Sequence, residues 1–180
     1  TRMAIAERSA RLNAVFDLSP DGFVVFDPAG TLAYCNKAFQ AMTGWDETLA
    51  GLTLEEFDQR FATLCEPQQA GLPVKPLVNA NEETDRSHTL MLTQPERRVL
   101  ARVVRSQPQG QGESILFFRD ITRETEVDRM KSEFLTTAAH ELRTPMVSVF
   151  GFTELLLRRQ VSDERRKDML ETIHCQASLL

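Results

Sequence analysis

The chain is poor in the residues that build cofactor and metal sites: three histidines, three cysteines, one tryptophan and one tyrosine in 180 residues. Cys35, Cys65 and Cys175 have no metal-ligand or redox spacing, so they read as reduced core or surface thiols. The eight glycines are scattered, without the clustering that lets backbone amides cradle a phosphate. No apolar run approaches the roughly 20 residues that span a bilayer, and no signal peptide is evident. Neither sign of charge dominates: 21 Lys and Arg against 26 Asp and Glu give a formal net charge of −5. The two signs are interspersed, which argues against nucleic acid or an anionic membrane surface as a partner. What is plentiful is globular material, 42% apolar and 26% charged. That suffices for one domain of about 100 residues and a helical pair.

Up to Thr122 the pattern alternates between helix and strand. A helical stretch from about Met3 to Asp17 carries Ile5, Leu12, Val15 and Phe16, and Ser19-Pro20-Asp21-Gly22 breaks it with turn chemistry. Phe23 to Phe26 and Thr31 to Cys35 read as strands joined by an Asp27-Pro28-Ala29-Gly30 turn. Asn36 is placed to cap a short helix with Phe39 and Met42 that ends at Gly44. Thr53 and Glu56 have capping-box spacing before Leu54, Phe57, Phe61 and Leu64. Pro67, Pro73 and Pro76 predict an irregular loop between Glu66 and Ser87. Three strands are expected late, at His88 to Thr93, Arg98 to Arg105 and Ser114 to Arg119, with Gln107 to Gly112 as a loop between the last two.

Beyond Asp120 a single helix is predicted, apolar at Leu135, Leu142, Val149 and Leu156, the seven-residue repeat of a buried stripe. His140 falls off that stripe and is expected to face solvent, with Thr144 one turn further along the same face and Glu141 beside it. Pro145 removes the amide that would bond the carbonyl of Glu141, so a kink is expected there. A neutral imidazole has one lone-pair nitrogen able to attack phosphorus, and a neighbouring carboxylate can take the other nitrogen's proton. An isolated His-Glu pair is usually just solvated surface; Arg143, Thr144 and Pro145 on this apolar frame shift the balance towards phosphoryl transfer. A zincin helix is excluded, because His-Glu-x-x-His needs a second histidine where Thr144 stands.

The run SEFLTTAAHELRTPM, Ser132 to Met146, resembles the H-box of sensor histidine kinases, the dimerisation and phosphotransfer helix of two-component systems. The resemblance implies that His140 is the phosphoacceptor, Glu141 its acid/base, Thr144 the residue that positions water for dephosphorylation of the partner, and Pro145 the helix-bending proline. After a short connection at Gln160 and Val161, Ser162 is a plausible N-cap for a second helix with Met169, Ile173, Gln176 or Ala177, and Leu180 at helical spacing. His174 and Cys175 on it read as packing or surface residues. A hairpin of two one-sided helices cannot bury its apolar side alone, so two copies are expected to form a four-helix bundle.

Upstream, Leu18 to Gly22 (LSPDG), Asn36 to Phe39 (NKAF), Thr43 to Trp45 (TGW) and Asp120 to Thr122 (DIT) are similar to wording habitual in the PAS sensor family. A haem sensor needs an axial histidine on a helix, whereas His88 lies in a strand. The Asn-Cys-Arg-Phe setting of a flavin photosensor is absent. Cys35, Tyr34 and Trp45 read as core and rim residues. The interior is expected to be empty or filled by side chains, with a small organic ligand as the alternative.

The expected architecture is therefore α+β. It comprises an N-terminal helix (1–18), a PAS-like antiparallel sheet with short helices (19–122), a coiled-coil linker (123–134) and a helical hairpin (135–180) whose second helix is truncated. In the linker, Val127, Met130, Phe134, Ala138 and Leu142 step by 3, 4, 4 and 4, a stutter through which the sensor is expected to rotate or bend the helix near Pro145, the alternative being that it only accommodates a change in core radius. The resemblance implies a homodimer, a response-regulator receiver domain as phosphate recipient, and Mg-ATP held by a catalytic domain for which no Asn-rich or Gly-rich boxes are present. Thr1 is not an initiator methionine, so the chain is expected to be a cytoplasmic piece of a longer protein, with an upstream membrane anchor left open. Alone, it is expected to accept phosphate but not to take it from ATP. No cofactor, metal or nucleic acid is expected in this piece. The alternative is a non-enzymatic dimeric sensor scaffold.

Overall fold

A computed structural model describes residues 2–46, 49–68, 73–74, 86–106 and 112–180, with residues 2–6, 8, 9 and 86 described by their backbone alone. The chain divides into two compact units, Thr1–Thr125 and Glu126–Leu180. In order, the first unit holds α1 (Arg2–Leu18), β1 (Gly22–Phe26), β2 (Leu32–Cys35), α2 (Lys37–Thr43), α3 (Leu54–Ala62), β3 (Arg86–Leu92), β4 (Arg98–Ser106) and β5 (Ser114–Asp120). From its end runs α4 (Thr122–Arg158), and α5 (Asp163–Ser178) follows in the second unit.

The strands form one antiparallel sheet in the order β2-β1-β5-β4-β3, so the first strand lies beside the last. Strand periodicity explains which face is buried: Val24 and Phe26 on β1, Leu100 and Val104 on β4, and Leu116 and Phe118 on β5 alternate with half-exposed neighbours. β3 starts two residues earlier than predicted, because Arg86 and Ser87 find ladder partners in Val104 and Val103. The expected loops at 66–87 and 107–112 lie for the most part outside the described residues.

Local chemistry accounts for the turns and helix starts. The Asp27 carboxylate accepts the amides of Ala29 and Thr31, both at 2.9 Å, closing the β1–β2 turn. Gly44 ends α2 in the left-handed region, φ 69°, and a Cβ there would stand 3.2 Å from the Pro95 ring. Thr53 and Glu56 form the reciprocal capping box of α3, with Thr53 N to Glu56 Oε2 at 2.9 Å and Glu56 N to Thr53 Oγ1 at 3.3 Å. The Thr53 amide and the Thr53 hydroxyl, which donates to the same oxygen at 3.0 Å, hold the Glu56 carboxyl below its ordinary pKa.

Asn36 does more than cap α2. Its Oδ1 accepts the amides of Phe39 (3.1 Å) and Phe23 (2.8 Å), while its Nδ2 donates to the carbonyls of Phe16 (2.8 Å) and Asp21 (2.9 Å). A fully buried amide is tolerated because all of these bonds are made.

The core lies between the sheet and helices α2 and α3. Phe39, Phe57 and Phe61 stack with interplanar angles of 6–22°, and Trp45 meets all three edge-on. One inward position of β4 breaks the apolar pattern: Arg102 is 1% exposed. Desolvation pushes its pKa down, while Asp58 and Cys65 nearby push it back up.

Candidate functional site

The site is carried on α4, a helix of 37 residues and therefore about 55 Å long. Its root is pinned to the sheet. Asp120 accepts the Thr122 amide at 3.0 Å and the Thr122 hydroxyl, and receives Arg98 Nη1 at 2.6 Å on its other oxygen. Thr122 Oγ1 accepts the Val99 amide (2.9 Å), and the Ile121 amide donates to the Val99 carbonyl (2.8 Å). Burial pushes the Asp120 carboxyl up, but the bonds from Thr122 and Arg98 outweigh it and leave the pKa below its ordinary value. The chemistry of an N-cap is thus fused to a strand pairing.

Five turns on from that root, His140 is exposed. Thr144 follows on the same face, and its hydroxyl donates to the His140 carbonyl at 3.3 Å, the usual back-bond of a helical threonine. Glu141 is exposed as well. Successive residues sit about 100° apart around a helix, and among the described residues no hydrogen bond joins this carboxylate to the imidazole. Val147, 64% exposed, lies two turns from His140 on the same side, and one turn beyond it a Cβ on Gly151 would meet nothing within 4 Å. Thr144, Val147 and Gly151 continue the face of His140 along the helix at the spacing i, i+4, i+7, i+11, and Val147 and Gly151 went unremarked in the sequence.

Pro145 does not interrupt α4, which is continuous from Thr122 to Arg158, and it is the buried residue of that helix. The predicted stripe is not uniformly buried. Val149 and Leu156 are half-buried, but Leu135 and Leu142 are 57% and 51% exposed. A seven-residue repeat drifts by about 20° per heptad on a straight α-helix, so the two ends of this stripe face different directions.

Two apolar stripes result. Ala138, Val149, Phe152 and Leu156 are half-buried around Pro145, as are Met169, Ile173 and Gln176 on α5, whose start Ser162 caps through the Arg165 amide (3.4 Å). Leu135, Leu142, Met146, Phe150 and Leu157 form the second stripe and remain exposed. The linker positions Val127, Met130 and Phe134 are exposed as well.

In the first unit, Trp45 is buried in the aromatic cluster and Tyr34 is half-buried, its hydroxyl donating to Asp17 Oδ1 at 3.1 Å. Burial and that carboxylate push the phenol up to about 12. None of Cys35, Cys65 and Cys175 is in a disulfide, and burial pushes the Cys65 thiol up. Among the described residues no three His, Cys, Asp or Glu side chains gather as a metal site, and no helix is long and apolar enough to cross a membrane.

The family profile of the His Kinase A (phospho-acceptor) domain matches residues 130–180, and that of a PAS domain matches residues 10–76. The chain is 25% identical, over 98% of its length, to drug sensory protein A of Synechocystis sp.. It is 28% identical, over 94% of its length, to alginate biosynthesis sensor protein KinB of Pseudomonas aeruginosa. It covers 30% and 28% of those proteins, less than a third of their length. Among solved structures, an RNA-binding light-oxygen-voltage receptor shares the fold with a TM-score of 0.52 at 16% identity, covering 76% of this chain and 39% of that one.

Proposed function

From the premise that this chain carries the PAS sensor and phospho-acceptor domains of the sensor histidine kinases, we propose that His140 receives and passes on a phosphoryl group. A lone-pair nitrogen of His140 attacks the γ-phosphorus of ATP. The P–N bond forms as the bond to the β,γ-bridging oxygen breaks, and ADP leaves. Glu141 takes the proton from the other ring nitrogen, which requires its side chain to turn towards the ring. A carboxylate oxygen of an aspartate on a receiver domain then attacks the same phosphorus and the P–N bond breaks. Thr144 orients water for hydrolysis of that acyl phosphate, and Pro145 marks where α4 lacks a backbone bond and bends. Mg-ATP is held by a separate catalytic domain in this scheme, and the chemistry runs in the cytoplasm.

The observation that carries the reading is the exposed His140 with Thr144 one turn further on the same face, clear of the half-buried stripe. The uncovered stripe of Leu135, Leu142, Met146, Phe150 and Leu157 supports a homodimer, since a second copy presents an equivalent surface and closes a four-helix bundle. The test supplies the ATP-binding domain of a sensor histidine kinase and [γ-32P]ATP. Acid-labile label is expected on the parent chain and none on His140→Gln. Equal labelling of both would sink the assignment.

A further inference from the structure

β1 and β5 pair antiparallel with Gly22 opposite Phe118, so the end of α1 and the start of α4 emerge at the same end of this strand pair. Between them runs a closed circuit of contacts. The Phe16 ring of α1 lies 4.9 Å from Phe23 of β1, which lies 5.3 Å from Phe117 of β5. The Arg119 guanidinium sits over Phe117 at 5.4 Å and forks onto Asp21, Nε to Oδ1 at 3.2 Å and Nη2 to Oδ2 at 3.1 Å. The Asp21 carbonyl is held by Asn36 Nδ2, which also donates to the Phe16 carbonyl and so returns the circuit to α1.

An exposed ion pair alone holds little. Here the guanidinium is bidentate, is stacked on a ring, and immediately precedes Asp120, the residue that anchors α4. Glu124, in the first turn of α4, adds to the field on Arg119. Among the described residues of α1, Leu12, Val15 and Leu18 are exposed. Among the described residues, α1 is tied down through its last turns, where Tyr34 also reaches Asp17.

We propose that the circuit Phe16–Phe23–Phe117–Arg119–Asp21–Asn36 is a relay in which the seating of α1 sets the anchoring of the α4 root. A displacement of α1 by whatever engages its exposed side loosens Arg119, and with it the Asp120–Thr122 anchor. Only the last consequence, that His140 reactivity follows α1, rests on the phosphoacceptor reading.

Amide hydrogen exchange on the 180-residue chain tests the relay without any phosphorus chemistry, so its failure is distinguishable from failure of that reading. Arg119→Gln is expected to speed exchange about fivefold, the scale of one surface ion pair, both at Ser19 and the last turn of α1 and at Ile121, Thr122 and Thr125. Phe16→Ala is expected to speed both segments more. Exchange in β3 and β4 should stay at the parent rate. Faster exchange in only one segment, in neither, or throughout the sheet overturns the relay.

Discussion

The two units solve the same problem differently. In Thr1–Thr125 a sheet meets helices α2 and α3, and each buries the apolar side of the other. Among the described residues, every buried hydrophobic side chain except Pro145 lies in this unit. In Glu126–Leu180 two helices cover one stripe and leave Leu135, Leu142, Met146, Phe150 and Leu157 in solvent. A layered α/β unit can close a core within one chain, whereas a helical hairpin has an open side by construction. The first unit closes a core of its own, and the unit bearing His140 leaves an apolar stripe open.

Substitutions can break or sharpen that contrast. The largest effect is expected from Phe39→Ala, which removes a ring that contacts Phe57, Phe61, Trp45 and Phe118. A loss of about 3–5 kcal/mol is expected, read by urea unfolding through the fluorescence of Trp45. A loss under about 1 kcal/mol would mean that the first unit does not rest on this core. Next, Leu142→Glu is expected to weaken self-association at least about a hundredfold, or about 2.7 kcal/mol, in sedimentation equilibrium, with the Trp45 transition unmoved. Unchanged association would return the exposed stripe to ordinary surface. Thr53→Ala opens the capping box and should cost about 1 kcal/mol, confined to the same fluorescence transition.

The smallest effect concerns acid. Asp120 is held below its ordinary pKa, so its contribution is present above the unfolded value, about 3.9, and is lost as pH falls through the lower folded value. The stability gap between the parent and Asp120→Asn should therefore shrink below about pH 4. A gap that stays constant down to pH 2 would remove the anchor from the account.

Legibility followed the range of the interaction. The caps at Asn36, Thr53 and Ser162 and the turn at Asp27 were readable because each bond spans four residues or fewer. The strands were readable from alternation, with errors only at their ends, where the partner strand sets the length. The exposure of His140 was readable from its offset to the apolar repeat. The carbonyls that Asn36 holds on Phe16 and Asp21 were not readable, nor was the burial of Arg102, which the alternation of β4 hides beneath a charged name.

By itself the sequence determined the elements, their caps, and the residues that share a face with His140, because helical and strand periods act over a few positions. Only the tertiary structure decided that the repeat on α4 divides into a covered and an uncovered stripe, because the drift of a straight helix and the reach of α5 are not written in any seven residues. It also brought Arg119 onto Asp21, 98 positions away, because the order of strands in a sheet is settled by the closing of the core and not by neighbours in the chain.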